Sequence, residues 1–328
     1  MDLNKQLRLR QRPSALAGPE HFDLVSIPKR MPAPGEVLLK TLYLSIDPAM
    51  RVWLSAAPGY VEPVAIGEVM RGACIAQVRH SADDRFVEGD FVQARTGWQT
   101  HPTVPADGIQ KIDLTLGSLQ DWIGPLGSTG LTAYFGLLRV GALIEGETVL
   151  VSAASGAVGQ MVGQIARLHG ATTIGIAGGA EKCRLARDEH GFDKVLDYKS
   201  DVPIAQQLDR DIDIYFDNVG GAILDAALAR MAARARVVVC GRISQTAASH
   251  LYGVKNIGLL IGRRARMEGF IVSDYASEYA QAREWIAARV RAGELHQRLH
   301  VLDGFEQCPS GLAMLFSGAN TGKLVVKP

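Results

Sequence analysis

Val149-Leu150-Val151-Ser152-Ala153-Ala154-Ser155-Gly156-Ala157-Val158-Gly159 is the stretch on which the fold turns. Residues 148–154 form an apolar run of the kind found in a strand buried in a parallel sheet. Val158, Val162, Ile165 and Ala166 then recur on one helical face, so a helix is expected over 158–169. Between the two, Gly156 permits a tight turn and a close backbone approach to a pyrophosphate. Gly159 permits the helix to pack on the sheet, and the helix start offers free N–H groups and the positive end of a dipole. Ala154 stands where a strict GxGxxG would carry its first glycine. A lone glycine-rich turn also suits an ordinary strand-to-helix corner. Its place in an alternating series favours a dinucleotide loop made by Ser155, Gly156, Ala157, Val158 and Gly159.

The series extends in both directions. Helices expected over 129–138, 181–190 and 222–231 alternate with strands over 172–177, 194–198, 212–217, 236–241 and 267–272. Strands alternating with helices argue a right-handed parallel α/β sheet. A long helix is expected over 275–293, with Trp285, Ile286 and Val290 as its apolar contacts. Upstream, β-prone runs over 37–44, 72–78 and 90–94 are bounded by Pro or Gly, which favours a mostly β, barrel-like unit. The terminal Lys323-Leu324-Val325-Val326-Lys327 reads as an edge or closing strand. The expected class is α/β: a mostly β domain over 1–123, a Rossmann doubly wound parallel sheet over 124–295 and a return to the first domain over 296–328.

A chain of 328 residues fits about two domains of ordinary size. With 47% apolar and 21% charged residues it has the profile of a soluble globular protein. Thirty-five basic against 34 acidic side chains indicate no charge-driven attraction to nucleic acid or anionic lipid. The first 13 residues are charged and lack the apolar core of a signal peptide, and the apolar run 257–262 is too short to cross a bilayer. Cys74, Cys183, Cys240 and Cys308 are scattered and form no CxxC pair, so reduced thiols in a cytoplasmic protein are expected.

The end of the strand over 172–177 bears on which dinucleotide is bound. An acid about 20 residues past the loop usually takes the ribose 2′-hydroxyl of NAD. Here Gly178-Gly179-Ala180 follows the strand, and Lys182 is placed to meet a 2′-phosphate, which favours NADPH; Glu181 keeps NADH open.

Several blocks then follow in order. Leu44-Ser45-Ile46-Asp47-Pro48-Ala49-Met50-Arg51, Gly67-Glu68-Val69-Met70-Arg71-Gly72 and the 127–138 segment precede the 153–159 loop. After it come Tyr215-Phe216-Asp217-Asn218-Val219-Gly220-Gly221, Cys240-Gly241-Arg242-Ile243-Ser244, Arg264-Ala265-Arg266-Met267-Glu268-Gly269-Phe270 and Asn320-Thr321-Gly322-Lys323. Together they resemble the leukotriene dehydrogenase/prostaglandin reductase branch of the medium-chain dehydrogenases/reductases, which includes 2-alkenal and curcumin-type reductases. The resemblance spans nearly the whole chain. It implies a GroES-like substrate domain beside the Rossmann domain, a homodimer and no zinc. Zinc-dependent relatives need a first-domain Cys with a His-Glu pair and a four-cysteine lobe, whereas the first domain here has only Cys74. It also implies that Lys182 and Tyr198 contact the 2′-phosphate and that Asn218 holds the nicotinamide ribose. Cys240, Ile243 and Ser244 would pass the nicotinamide, Phe270, Ile271 and Val272 would line its ring, and Asn320 would reach back from the C-terminal segment. Met50, Arg51 and Tyr60 fall in the segments expected to shape the substrate pocket.

The implied chemistry is NADPH-dependent reduction of the C=C bond of small α,β-unsaturated aldehydes and ketones. Hydride reaches the β-carbon, charge develops on the carbonyl oxygen and a proton goes to the α-carbon. Many relatives place a tyrosine two residues after the Ile-Ser pair as the hydroxyl donor. Here that position is Thr246, and Tyr252 further along the loop is the substitute expected for it. The alternatives are a zinc-free quinone reductase, a dehydrogenase acting at carbonyls, and a non-catalytic, crystallin-like NADPH binder.

Overall fold

The computed structural model describes residues 3–56, 61–246, 248 and 250–328. The chain divides into two compact units. One comprises Met1–Ile123, Leu299–Asn320 and Leu324–Pro328, the other Gly124–Arg298 and Thr321–Lys323. The return therefore starts after Arg298 rather than at 296. Two buried glutamines explain the shift: Gln164 Oε1 accepts from the His296 N–H (3.0 Å) and Gln160 Oε1 from the Arg298 N–H (2.8 Å), tying 296–298 to the second unit.

The second unit is built on six parallel strands: β1 Thr148–Ser152, β2 Thr172–Ala177, β3 Lys194–Asp197, β4 Ile212–Asp217, β5 Met231–Val239 and β6 Arg266–Gly269. They lie in the order β3-β2-β1-β4-β5-β6, every pair parallel. Val149, Leu150, Val151, Ile176, Ile214 and Phe216 are fully buried, as expected of strands covered on both faces. The order reverses between β1 and β4. At such a switch point the crevice beyond the carboxyl ends of the strands is where ligands bind. Helix α1, Gly159–Leu168, packs so closely on the Phe192 ring, which precedes β3, that a Cβ at Gly163 would lie 2.2 Å from it.

Several elements differ in extent from their sequence patterns. β5 starts at Met231, five residues before the expected start at 236, because Met231 already pairs with Ile212. The ladder is then irregular, with Arg234 at φ +64°. β6 ends at Gly269, and the helix expected over 275–293 begins as a 3₁₀ segment, Val272–Glu278. That segment is kinked at Tyr275 before the α-helix Tyr279–Arg291. The helix expected over 181–190 starts as Ala180–Arg184 and widens into a π-turn, Leu185–Glu189.

The first unit is mostly β. Its main sheet runs in the order Leu299–Asp303, Lys323–Lys327, Glu36–Ser45, Cys74–Ser81, Phe91–Ala94, Gln110–Lys111, with Thr103–Pro105 also paired to Glu36–Ser45. The terminal strand is thus interior to the sheet rather than an edge, antiparallel to Glu36–Ser45 through Val325 and Val326. Leu39, Leu44, Met50, Trp98, Leu324 and Val326 belong to the core beneath it. Among the described residues no helix is long and apolar enough to cross a membrane.

Candidate functional site

All the cofactor residues expected from sequence except Asn320 fall in the second unit, in segments that follow the carboxyl ends of its strands. Beyond β1 the left-handed backbone falls on Ala153 (φ +52°) rather than on Ala154. Ala154 is buried beside Gly175 of β2, where a Cβ would stand 2.8 Å from the Ala154 methyl. The space usually left by a first loop glycine is supplied here from the neighbouring strand. The Gly156 N–H donates to the Ala153 carbonyl (2.8 Å), and a Cβ at Gly159 would lie 2.2 Å from that same oxygen, so this position requires glycine. Val158 caps α1. The far side of the loop is held by two late segments of the same unit: the Gly322 N–H donates to the Ser155 carbonyl (3.1 Å) and Gln297 Nε2 to the Ala157 carbonyl (2.6 Å). Gln297 lies 140 residues from Ala157, and no local sequence signal marks it.

A second corner joins β2 and β3. Tyr198 N–H donates to the Ala177 carbonyl (3.1 Å), and the half-exposed Tyr198 ring covers Gly178 so closely that a Cβ there would lie 2.6 Å from it. Lys182 is half-buried. Burial, then the charge of Lys199, lowers its ammonium from the ordinary lysine value. Asp197, at the end of β3, gives its Oδ1 to the N–H groups of Gly179 (2.9 Å) and Lys199 (2.8 Å). Neither Asp197 nor Lys199 stood out in the sequence.

The third corner follows β4. The buried Asp217 Oδ1 accepts from Tyr215 Oη (2.7 Å), Val219 N (2.9 Å), Gly220 N (2.8 Å) and Ser152 Oγ (3.2 Å). Burial raises this carboxyl despite those donors. Asn218 donates its N–H to Ser152 Oγ (2.9 Å) and its side-chain amide to Ser152 O (2.8 Å), so the side chain next to the switch point has one orientation. The chain after β5 wraps the same turn: Cys240 N and Gly241 N donate to Asp217 O, Ile243 N to Asn218 O, and Ser244 Oγ to Val219 O (2.7 Å). Burial and the charge of Asp217 push the Cys240 thiol up to about 12. Beyond β6, Phe270 stands edge-on to Phe216 (6.5 Å between centroids), Ile271 is exposed, and the Val272 carbonyl accepts from Tyr279 Oη (3.0 Å). Asn320 belongs to the first unit, adjoining Thr321–Lys323 of the second.

The structure gives the catalytic and pocket candidates the following contacts. Thr246 Oγ donates back to the Arg242 carbonyl (3.1 Å), as a helical threonine does. Tyr252 Oη donates to Asp225 Oδ2 (2.9 Å), and this hydrogen bond to a carboxylate raises the phenol above its ordinary value. Asp225 also takes the N–H groups of Lys255 (3.0 Å) and Asn256 (2.7 Å), so Tyr252 is part of a staple that fixes its loop to helix Gly221–Leu228. Met50 is a core side chain of the first unit. Arg51 is a buried strut whose guanidinium donates to the carbonyls of Ala15 (2.6 Å) and Pro13 (3.2 Å). Tyr60 lies outside the described residues.

The three corners fit a dinucleotide phosphorylated on one ribose. The loop admits no Cβ at 159 and leads directly into the N-terminus of α1, the β2–β3 corner carries Lys182 and Lys199, and an oriented amide follows β4. Among the described residues no group of three or more His, Cys, Asp or Glu side chains could hold a metal ion.

Comparison with known proteins agrees with these features. Residues 5–112 match the family model described as N-terminal domain of oxidoreductase, and residues 157–288 the one described as zinc-binding dehydrogenase. The chain is 40% identical to the NADP(+)-dependent 2-alkenal reductase of Nicotiana tabacum, covering 98% of this chain and 97% of that protein. It is 38% identical to the NADPH-dependent curcumin reductase of Escherichia coli, covering 99% and 96%. The crystal structure of CurA from Vibrio vulnificus in complex with NADPH superposes with a TM-score of 0.92 at 40% identity, covering 98% of each chain. The chain belongs to the medium-chain dehydrogenase/reductase family, in its leukotriene dehydrogenase/prostaglandin reductase branch.

Proposed function

We propose that the protein is an NADPH-dependent reductase of the C=C bond of small α,β-unsaturated aldehydes and ketones. The observation that carries this reading is identity of about 40% over nearly the full chain to reductases named for 2-alkenals and curcumin. Bound NADPH supplies the hydride. The chain's own residues hold and orient it. The backbone of Ser155–Gly159 takes the pyrophosphate and Lys182 with Tyr198 takes the 2′-phosphate. Asn218 holds the nicotinamide ribose, and Cys240, Ile243, Ser244, Phe270, Ile271, Val272 and Asn320 bound the nicotinamide end. NADPH oxidation against a graded panel of enals, enones, quinones and alcohols, with NADH in parallel, tests the assignment. Turnover confined to quinones, or binding of NADPH with no turnover on any compound, would overturn it.

Catalysis is proposed to be independent of zinc. Burial pushes the Cys74 thiol up to about 11, and its sulfur lies 3.2 Å from Thr96 Oγ1, the opposite of the thiolate a metal needs. The active species is proposed to be a homodimer. Strand β6 is the outermost of its sheet, and the exposed Ile257, Leu259, Ile261 and Ile271 flank it in sequence, a combination suited to a second copy of this chain. The four free cysteines support work in the reducing cytoplasm.

A further inference from the structure

We infer that Lys199 is a third member of the 2′-phosphate subsite and that Asp197 is the positioning residue that aims it, an inference that rests on the NADPH reading above. Strands β2 and β3 end in register, Leu196 opposite Ile176 and Asp197 opposite Ala177. Beyond them the chain segments 178–179 and 198–199 are stapled together. Tyr198 covers Gly178, and one oxygen of Asp197 holds the N–H groups of both Gly179 and Lys199 at 2.8–2.9 Å. The staple fixes where two lysines start. Lys182 stands three residues beyond Gly179, and Lys199 carries one of the stapled N–H groups itself. Neither lysine has an ion pair with an acid among the described residues. Lys182 feels the positive charge of Lys199 more strongly than the negative charge of its own neighbour Glu181.

Two like charges brought together by a rigid corner repel, and an anion placed between them converts that repulsion into charge-assisted hydrogen bonds. A phosphate monoester, carrying about −1.5 to −2 charge at neutral pH, suits two ammonium groups and a phenol. The carboxylate in the corner would by itself favour a ribose hydroxyl. Here one of its oxygens is occupied by two backbone N–H groups, and the two lysines and the phenol are the groups of this corner suited to an anion.

The test is titration of the full-length protein with NADPH, NADH and 2′,5′-ADP, followed by fluorescence, for wild type, Lys182→Gln, Lys199→Gln, Asp197→Asn and Asp197→Ala. Lys199→Gln is expected to weaken NADPH and 2′,5′-ADP by about tenfold while NADH changes by less than about twofold. The salt dependence of NADPH binding should become shallower in the same variant. Asp197→Ala should lower the NADPH-to-NADH preference, and Asp197→Asn, which keeps an acceptor oxygen for both N–H groups, should restore it. If Lys182→Gln lowers the preference while Lys199→Gln does not, the inference is wrong and the subsite reading stands. If neither lysine variant moves the preference, the subsite reading fails and the inference fails with it.

Discussion

His190 gives the protein an acid-sensitive stability that a titration can measure. The imidazole is 1% exposed, and among the described residues neither ring nitrogen has a hydrogen-bond partner. Its ring centroid is 5.6 Å from that of His296, beside the Glu189–Arg298 ion pair (3.0 Å). Burial first, then His296, depresses it from 6.5 to about 4, with Arg298 acting in the same direction and Glu189 against it. Because the folded value is the lower one, the unfolded chain binds the proton first as pH falls. The stabilisation is complete above about pH 6.5 and is lost progressively down to about pH 4. At about 1.36 kcal/mol per pH unit the full loss is about 3 kcal/mol, of which about 2 is gone by pH 5. Urea denaturation followed by circular dichroism at pH 7.5 and pH 5 reads the difference as a shift in midpoint. Replacing the ring by leucine removes two buried polar atoms that have no partner, so His190→Leu should be near wild type at neutral pH. It should be more stable than wild type by about 2 kcal/mol at pH 5. A wild-type midpoint that does not move over this interval, or a His190→Leu variant that loses as much stability as wild type, would refute the assignment.

Three further outcomes follow from the geometry. Gly159→Ala, which in an ordinary helix would stabilise by about 1 kcal/mol, should instead destabilise by about 1–3 kcal/mol and abolish measurable NADPH binding. The cause is a methyl 2.2 Å from the Ala153 carbonyl oxygen, and a melting curve with a cofactor titration checks both effects. Tyr252→Phe should leave kcat on an enal substrate within about twofold, because its hydroxyl serves Asp225, whereas Asp225→Ala should loosen the loop and raise its amide hydrogen exchange. If the proposed homodimer forms through this face, Ile261→Asp, at a side chain 82% exposed, should shift the protein to monomer in analytical ultracentrifugation, and an unchanged sedimentation coefficient would refute that interface.

The α/β unit was legible because its signals are local and periodic. The 149–159 stretch carries strand, turn and helix in one piece, and each later strand announces itself as an apolar run. Asn218 was singled out because it sits in the 215–221 block, Lys182 because it follows the end of the strand over 172–177, and Tyr198 only through the family resemblance. What stayed hidden depends on partners distant in sequence. Gln160 and Gln164 look like ordinary polar positions on an amphipathic helix, yet both are buried and fix the segment 296–298. The contact of Tyr252 stayed hidden for the same reason. A tyrosine in a loop near a site reads as a proton donor until the carboxylate 27 residues away is seen to hold its hydroxyl. Arg51 likewise belongs to a family block, but its guanidinium is committed to the 13–15 segment.

Five aspartates of the second unit share a task that bears on cofactor choice. Asp193 holds the N–H and hydroxyl of Thr173, and Asp213 the N–H of Thr148, at the starts of β2 and β1. Asp197, Asp217 and Asp225 each hold two backbone N–H groups beyond strand ends or beside the loop after β5. Each of these carboxylates thus serves a backbone turn, where a charged acceptor gains most from fixed donors. The ligand side is left to N–H groups at the α1 terminus, to the Asn218 amide and to the lysines of the β2–β3 corner. A corner whose acid is committed below and whose cations stand above favours a phosphorylated ribose over a free hydroxyl. If the inference holds, the preference for NADPH depends on Asp197 as well as on Lys182. Moving an acid to the end of β2, as in Ala177→Asp, should shift the preference toward NADH only when Lys182 and Lys199 are neutralised as well, an outcome the same fluorescence titrations can read.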